Sequence, residues 1–386
     1  MKINKHDPHH WLLLTQQFVY TLVAIVGRYV TRKPDKPIVV LYGHQLSGNL
    51  KALYAQWHKT HCEAFDCFFL SLDPTYSKQL RLEKVQVLQC CRLRDMLKVG
   101  RCRVMITDHG LHLMSPFILL TDIKFVDVWH GIPFKGFSPD DFRVQHRYDE
   151  VWVSSPLIKQ FYVEKFGFRH EIVHALGYAR ADKLFRRENS SSGYRQRASI
   201  PTGKKIVLYA PTWQQDDKGR ELFPFGEDQG SFINQLSEVC QSHNAVLVIR
   251  SHLNAQIEKA GSENVFYCSM KDYPDAEALL METDILICDW SSISFDYLAL
   301  NRPTIFLDVA PPFKYGLSLG KEYRFGKVAA DMDSLCSTLS VILEFPEKYF
   351  EEQGSKHEEV CAEVYGENRA GDTACRQLTH LENLIG

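Results

Sequence analysis

The chain has 386 residues, 45% of them hydrophobic, which is material for two globular domains of about 150 to 200 residues each. Its 45 basic and 47 acidic side chains nearly cancel, so no general basic field supports a nucleic-acid partner, and any anion site must be local. Eleven cysteines without a C-x-x-C pair or a regular spacing indicate neither zinc nor a disulfide framework, and scattered thiols fit a reducing cytoplasm.

At the N-terminus, HDPHH (residues 6–10) reads as a solvated tail, since no H-E-x-x-H or similar helical spacing accompanies it. Residues 11–30, WLLLTQQFVYTLVAIVGRYV, are mostly apolar but interrupted by Thr15, Gln16, Gln17, Thr21, Gly27 and Arg28, with Arg32 and Lys33 just beyond. A spanning helix needs about 20 predominantly apolar residues, so this one is borderline and a true span ranks third, behind two other readings; no small-residue cleavage site follows it. Two readings stay open. The segment is an amphipathic helix lying on the cytoplasmic leaflet with its basic flank at the headgroups, or a first helix packed on the domain.

From residue 38 short apolar runs alternate with helical stretches, which predicts an α/β fold with mainly parallel sheets. IVVLYG (38–43), CFFLSL (67–72), RVMITD (103–108), FVDVWH (125–130), VWVSS (151–155) and IVHALG (172–177) read as strands, and residues 84–99 and 156–167 as helices. RRENSSSGYRQRASIPTGKK (186–205) is polar and carries Ser, Gly and Pro, so it reads as a linker. A second series follows with strands KIVLYA (205–210), AVLVIR (245–250), VFYCS (265–269), ILICD (285–289) and TIFLD (304–308), ending in helices from about residue 331. The expected organisation is a membrane-associating segment over 1–36, a Rossmann-like domain over 37–185, a linker over 186–204 and a second Rossmann-like domain over 205–386. Two such domains with ligand sites at the strand carboxyl ends, facing a shared cleft, describe a GT-B architecture.

DILICDWSSISFDYLALNRPTIFLD (284–308) reads as strand, loop, helix and strand, with Ser291 and Ser292 at the helix start. A helix start offers unpaired N–H groups and a partial positive charge, which suits a phosphate or diphosphate; the serines can equally be caps. DWSSISFDYLALNRPTIF resembles the D-Y-S-S-x-x-F-D-x-x-x-L-x-K-P-I-x-F motif of the CDP-glycerol glycerophosphotransferases, which build teichoic acids and some capsular polymers. Four further blocks resemble that family in order: SGNLKALY (47–54), WHGIPFKGF (129–137), YAPTWQQD (209–216) and RSH (250–252), which stands where the family has R-P-H. GYARAD (177–182) is similar to the family's G-Y-P-R-x-D, and it brings in Arg180 as a phosphate-binding candidate. The resemblance covers roughly residues 38–330 and implies the GT-B fold.

His130 follows an apolar run and precedes Gly131 and Pro133, so it sits on a turn at a strand's carboxyl end, where ligands bind. Gly131 permits close backbone approach, Lys135 adds a local charge, and Ile132 stands where the family has threonine, which removes one hydroxyl; Phe134 completes the block. Arg250 and His252 are two residues apart, a spacing that puts both on one face of a strand, and Ser251 replaces the family's proline. Thr212 and Trp213 follow a strand on the turn opened by Pro211, and in the resembled family this segment helps form the donor site. Asp296 favours the helix dipole or contacts the donor's hydroxyls, and Asp108 is a lesser acid–base candidate.

The resemblance implies transfer of glycerol phosphate, or a related polyol phosphate, from CDP-glycerol to a hydroxyl of a lipid-linked acceptor, with release of CMP, at the cytoplasmic face of the membrane. His130 and His252 are the candidate catalytic residues. Gly131, Ile132, Pro133, Phe134, Arg180, Thr212, Trp213, Arg250, Ser251, Ser291, Ser292 and Asp296 are the candidate substrate contacts. With no strand-end D-x-D, neither metal nor cofactor is expected. A glycosyltransferase using a nucleotide sugar, or a non-catalytic membrane scaffold of the same fold, are the alternatives.

Overall fold

A computed structural model of the protein describes residues 8–32, 34–188, 193–212, 223–251, 263–269 and 273–386. The chain divides into two compact units. The first holds Met1–His130, Pro139–Asp182 and Asp372–Gly386; the second holds Gly131–Ser138 and Lys183–Gly371.

The first unit opens with α1 (Pro8–Val30), then alternates β1 (Ile38–Tyr42), α2 (Gly48–Lys59), β2 (Asp66–Ser71), α3 (Pro74–Leu82), β3 (Val87–Gln89), α4 (Leu93–Gly100) and β4 (Val104–Thr107). It continues through α5 (Ser115–Leu120), β5 (Lys124–Asp127), β6 (Glu150–Trp152), α6 (Pro156–Glu164) and β7 (Val173–His174). Among the described residues its sheet has the order β3-β2-β1-β4-β5-β6-β7, and its pairings are parallel. Strand residues alternate between two apolar layers: Val39, Leu41, Val104 and Ile106 enter one, and Val40, Tyr42, Met105 and Phe125 the other. A sheet buried on both faces accounts for the continuous apolar runs in the sequence.

The second unit follows with α7 (Asp182–Arg186, its first residue in the first unit), α8 (Tyr194–Arg197), β8 (Lys205–Ala210), α9 (Gln229–Ser242), β9 (Ala245–Ser251), β10 (Val265–Ser269), α10 (Ala276–Glu282) and β11 (Ile285–Cys288). It ends with α11 (Ile293–Leu298), β12 (Thr304–Leu307), β13 (Lys327–Ala329), α12 (Met332–Glu344) and α13 (Pro346–Tyr365). Its sheet order is β10-β9-β8-β11-β12-β13, again parallel.

Three elements differ from the sequence reading. Residues 84–99 are not one helix: Leu88 pairs with Leu70 of β2, and α4 begins only at Leu93. An edge strand and a short helix in tandem produced apolar spacings that resemble a longer helix. The final helix α14 (Thr373–Ile385) returns to the first unit, where the Asp182 carboxylate accepts from the N–H groups of Thr373 and Ala374 at 3.0 and 2.8 Å. β13 pairs in parallel with β12, through Val328 opposite Phe306, where the sequence reading placed no strand.

Helix α1 is present and lies against α4 through small residues. A Cβ on Gly27 would meet the Leu97 side chain at 2.7 Å, and one on Gly100 would strike the backbone of Ala24. Among the described residues no helix is long and apolar enough to cross a membrane. Because Gly100 admits the α1 backbone where a methyl group cannot fit, Gly100→Ala is expected to cost about 1–3 kcal/mol. A lower denaturant midpoint with an unchanged m-value is the expected readout.

Candidate active site

In a parallel sheet, ligands bind beyond the carboxyl ends of the strands where the strand order reverses. In the first unit that point lies between β1 and β4. The chain beyond them brings His44, Asp108 and His109 together, and His130 joins from the turn after β5: His109 lies 4.8 Å from His44 and 4.5 Å from His130, ring centre to ring centre. The His109 and His130 planes are only 6° apart, a stacked pair.

Asn49 positions this turn. Its Nδ2 donates to the carbonyls of Val128 (2.8 Å) and Trp129 (2.9 Å), while its Oδ1 accepts from the Arg180 N–H (3.0 Å). Arg180 Nη1 in turn donates to the His130 carbonyl at 2.7 Å. Three blocks noted in the sequence, around residues 49, 130 and 180, therefore meet at one buried amide. Trp129 is held at φ +45, a conformation unusual for a bulky residue, while its N–H donates to Asp127 at 2.8 Å.

The tautomer of His130 follows from its partner. Nδ1 lies 3.0 Å from the backbone carbonyl oxygen of Asp108, which can only accept, so Nδ1 carries the hydrogen and the neutral ring keeps its lone pair on Nε2. The Asp108 carboxylate is 2.7 Å from His109 Nδ1. Burial pulls the His109 pKa down, but the Asp108 hydrogen bond and charge, with Asp127 behind, outweigh it and leave the pKa raised. Burial, reinforced by His109 and His112, lowers His44 to about 4. Burial lifts Asp127 to about 7 against the opposing Trp129 N–H bond.

In the second unit the reversal lies between β8 and β11. Asp289, immediately after β11, accepts from the Thr212 N–H (2.8 Å), the Thr212 hydroxyl and the Trp290 N–H (2.7 Å). The Thr212 side chain thus braces two loops. Ser292 holds the N-cap position of α11 without a side-chain hydrogen bond to the first turn, contrary to a capping role. The helix it opens has six residues, so the dipole invoked from the sequence is small. Ser291 and Ser292 are half-buried, and Asp296 is buried.

Arg250 is 7% exposed, and its Nη1 donates to the Tyr273 carbonyl at 3.2 Å and lies 3.5 Å from the Cys268 sulfur. Trp213 and His252 lie outside the described residues, and of Ser251 only the backbone is described, as the end of β9. The block around His130 divides at the histidine: Gly131, Ile132, Pro133 and Phe134 belong to the second unit, where the Phe134 ring packs on Phe295 and Trp290 at 4.5 and 5.6 Å.

Sequence reasoning missed Arg324, which no block contains. Its guanidinium lies 3.7 Å from the Trp290 ring centre, and Nη1 donates to Asp308 at 3.1 Å. Its buried Nε has no hydrogen-bond partner. It also missed His44 and His109, whose only signal was their position just past apolar runs. Among the described residues no group of three His, Cys, Asp or Glu side chains is arranged to hold a metal ion.

Two parallel α/β units, each with a polar cluster at its reversal point, define a fold of the GT-B kind. A solved wall teichoic acid polymerase, TagF, shares it: TM-score 0.71 at 18% identity, covering 97% of this chain and 93% of that one. The profile of the CDP-Glycerol:Poly(glycerophosphate) glycerophosphotransferase family matches residues 27–370, and the chain belongs to that family. The chain is 24% identical to the teichoic acid glycerol-phosphate primase of Bacillus subtilis, over 97% of this chain and 98% of that protein. It is 27% identical to the teichoic acid ribitol-phosphate polymerase TarK of Staphylococcus aureus over 61% of this chain, and there it spans only 51% of the relative's length.

Asn49→Ala strips two buried carbonyls and one N–H of their partner, and a loss of about 2–4 kcal/mol is expected by equilibrium unfolding. Asp127 has a folded pKa above its unfolded value, so its stabilising contribution is complete below about pH 4 and is lost as pH rises through about 7. Asp127→Asn keeps the acceptor for Trp129 without the charge. Its unfolding free energy relative to the parent should therefore climb between pH 4 and 7, by about 1.4 kcal/mol per pH unit at most, and then level off.

Proposed function

We propose that the protein transfers glycerol phosphate, or a related polyol phosphate, from a CDP-linked donor to a hydroxyl of a lipid-linked acceptor and releases CMP. It does so in teichoic-acid or capsular polymer synthesis, peripherally bound at the cytoplasmic face of the membrane. The observation that carries this reading is the fixed tautomer of His130, whose lone pair is on Nε2, on a turn held by Asn49 at a strand's carboxyl end.

His130 Nε2 takes the proton of the acceptor hydroxyl. That oxygen attacks the phosphorus bearing the polyol, and the bond to the bridging oxygen breaks with its electron pair leaving on CMP. Such a transfer requires alignment and charge neutralisation more than covalent chemistry. His252, Ser291 and Ser292 supply hydrogen bonds to the diphosphate, Arg180 and Arg324 supply charge, and Asp296 contacts the donor's hydroxyls. Arg250 serves from behind, holding the end of β9 that leads into His252 through its bond to Tyr273. The family membership supports a CDP-linked donor, and the relatives named for glycerol-phosphate and ribitol-phosphate transfer support a polyol phosphate as the group moved.

The test is acceptor-dependent CMP release from CDP-glycerol by the full chain with a lipid-linked disaccharide acceptor. His130→Ala is expected to lower kcat by about 10²–10⁴ with the fold intact. Full activity in that variant, or turnover of nucleotide sugars in place of CDP-polyols, would overturn the reading.

A further inference from the structure

The imidazole of His130 is exposed, and its hydrogen bond to the Asp108 carbonyl holds one ring atom only. The χ2 torsion of a histidine is broad, so a ring tied through Nδ1 alone can still swing its Nε2. His130 has more than that bond. The Trp129 ring lies 4.4 Å from it at an interplanar angle of 30°, and the His109 ring 4.5 Å from it at 6°, both in stacked arrangement. Trp129 is its neighbour in sequence, whereas His109 comes from the chain just beyond β4.

One residue sets the parallel stack. The backbone carbonyl of Asp108 accepts from His130 Nδ1 at 3.0 Å, and its carboxylate accepts from His109 Nδ1 at 2.7 Å. Asp108 is 3% exposed, and Gly43, just past β1, leaves room for it: a Cβ at that position would strike the Asp108 carboxylate. The His44 ring packs on His109 as well, tilted by 59° with centres 4.8 Å apart. His109 is therefore held by a carboxylate and a second ring while its flat face lies along His130.

We propose that His109 is a positioning residue for the transfer: stacked on His130 and fixed by Asp108, it holds the plane of that ring and with it the direction of the Nε2 lone pair. The inference rests on the reading of His130 as the base, and it adds a residue that lies outside every block marking the family. Direction matters because a misplacement of about 1 Å at a reacting centre costs about a hundredfold in rate.

The test separates the ring face from the hydrogen bond. His109→Asn keeps an N–H donor for Asp108 near the place of Nδ1 but removes the flat face. His109→Phe keeps the face and removes the donor. Each is measured in two ways, with thermal unfolding to verify the fold. The first needs no substrate: nitrogen NMR of the imidazoles, with the His130 signals assigned by their loss in His130→Ala. The parent is expected to show the Nδ1–H tautomer alone, His109→Asn a mixture of the two tautomers, and His109→Phe the parent's pattern. The second is CMP release. In His109→Asn kcat is expected to fall about ten- to hundredfold with KM for CDP-glycerol within about twofold, and in His109→Phe most of kcat should remain. Gly43→Ala, which alters neither ring but displaces Asp108, should behave like His109→Asn in both measurements. A mixture of tautomers in the parent, a single tautomer or full kcat in His109→Asn, or a loss in His109→Phe as deep as in His109→Asn would overturn the proposal. A parent that shows the single tautomer, loses it in His109→Asn and releases no CMP would fail the transferase reading while the hold on the ring stands.

Discussion

The first unit's polar cluster depends on how the amide of Asn49 is satisfied. A buried amide must find partners for two donors and one acceptor, and here they are two carbonyls of the turn after β5 and one N–H of the loop that carries Arg180. Each bond is ordinary in length, but together they fix the chain on both sides of Trp129, which tolerates its positive φ only because the surroundings determine it. With the turn fixed, His130 has one available orientation toward the Asp108 carbonyl, and that contact selects the tautomer. The chemistry assigned to an imidazole thus begins with a neutral side chain on another element, α2.

The second unit solves the same problem with a carboxylate. Asp289 can only accept, so it gathers N–H and O–H donors from the far side of the reversal point, and Thr212 supplies both. Asn49 and Asp289 are each nearly fully buried and each follows the carboxyl-end geometry of its sheet. The difference in residue type follows from the partners: carbonyls need a donor, while amides and hydroxyls need an acceptor. Arg324 stacked on Trp290 adds a cation beside Asp289, and burial lowers its pKa despite the opposing pull of Asp308.

Helix α1 shows why periodicity alone left two readings open. A pattern of apolar and small polar residues over 20 positions specifies a helix but not which side faces protein. Gly27 and Gly100 settle it, because only the side bearing small residues can approach α4 closely enough to pack. The helix is therefore packed on its domain, as the second reading had it, and it also presents apolar residues outward.

The strand series, the two parallel sheets and the position of His130 at a strand end were legible in the sequence, because side-chain burial on both faces of a sheet leaves continuous apolar runs that local pattern records. The same pattern failed at residues 84–99, where an edge strand and a short helix share one apolar rhythm. The partners of Asn49 lie 79, 80 and 131 residues away, and nothing local to any of them announces the others. Nor does local pattern assign Arg250 to an interior role, return α14 to the first unit or bring Arg324 beside Trp290. The amino-acid sequence by itself determined most of the strands and the residue blocks that mark the family. Only the tertiary structure decided which polar groups satisfy one another, because a buried hydrogen bond takes whichever partner the fold brings within 3 Å, at any separation along the chain.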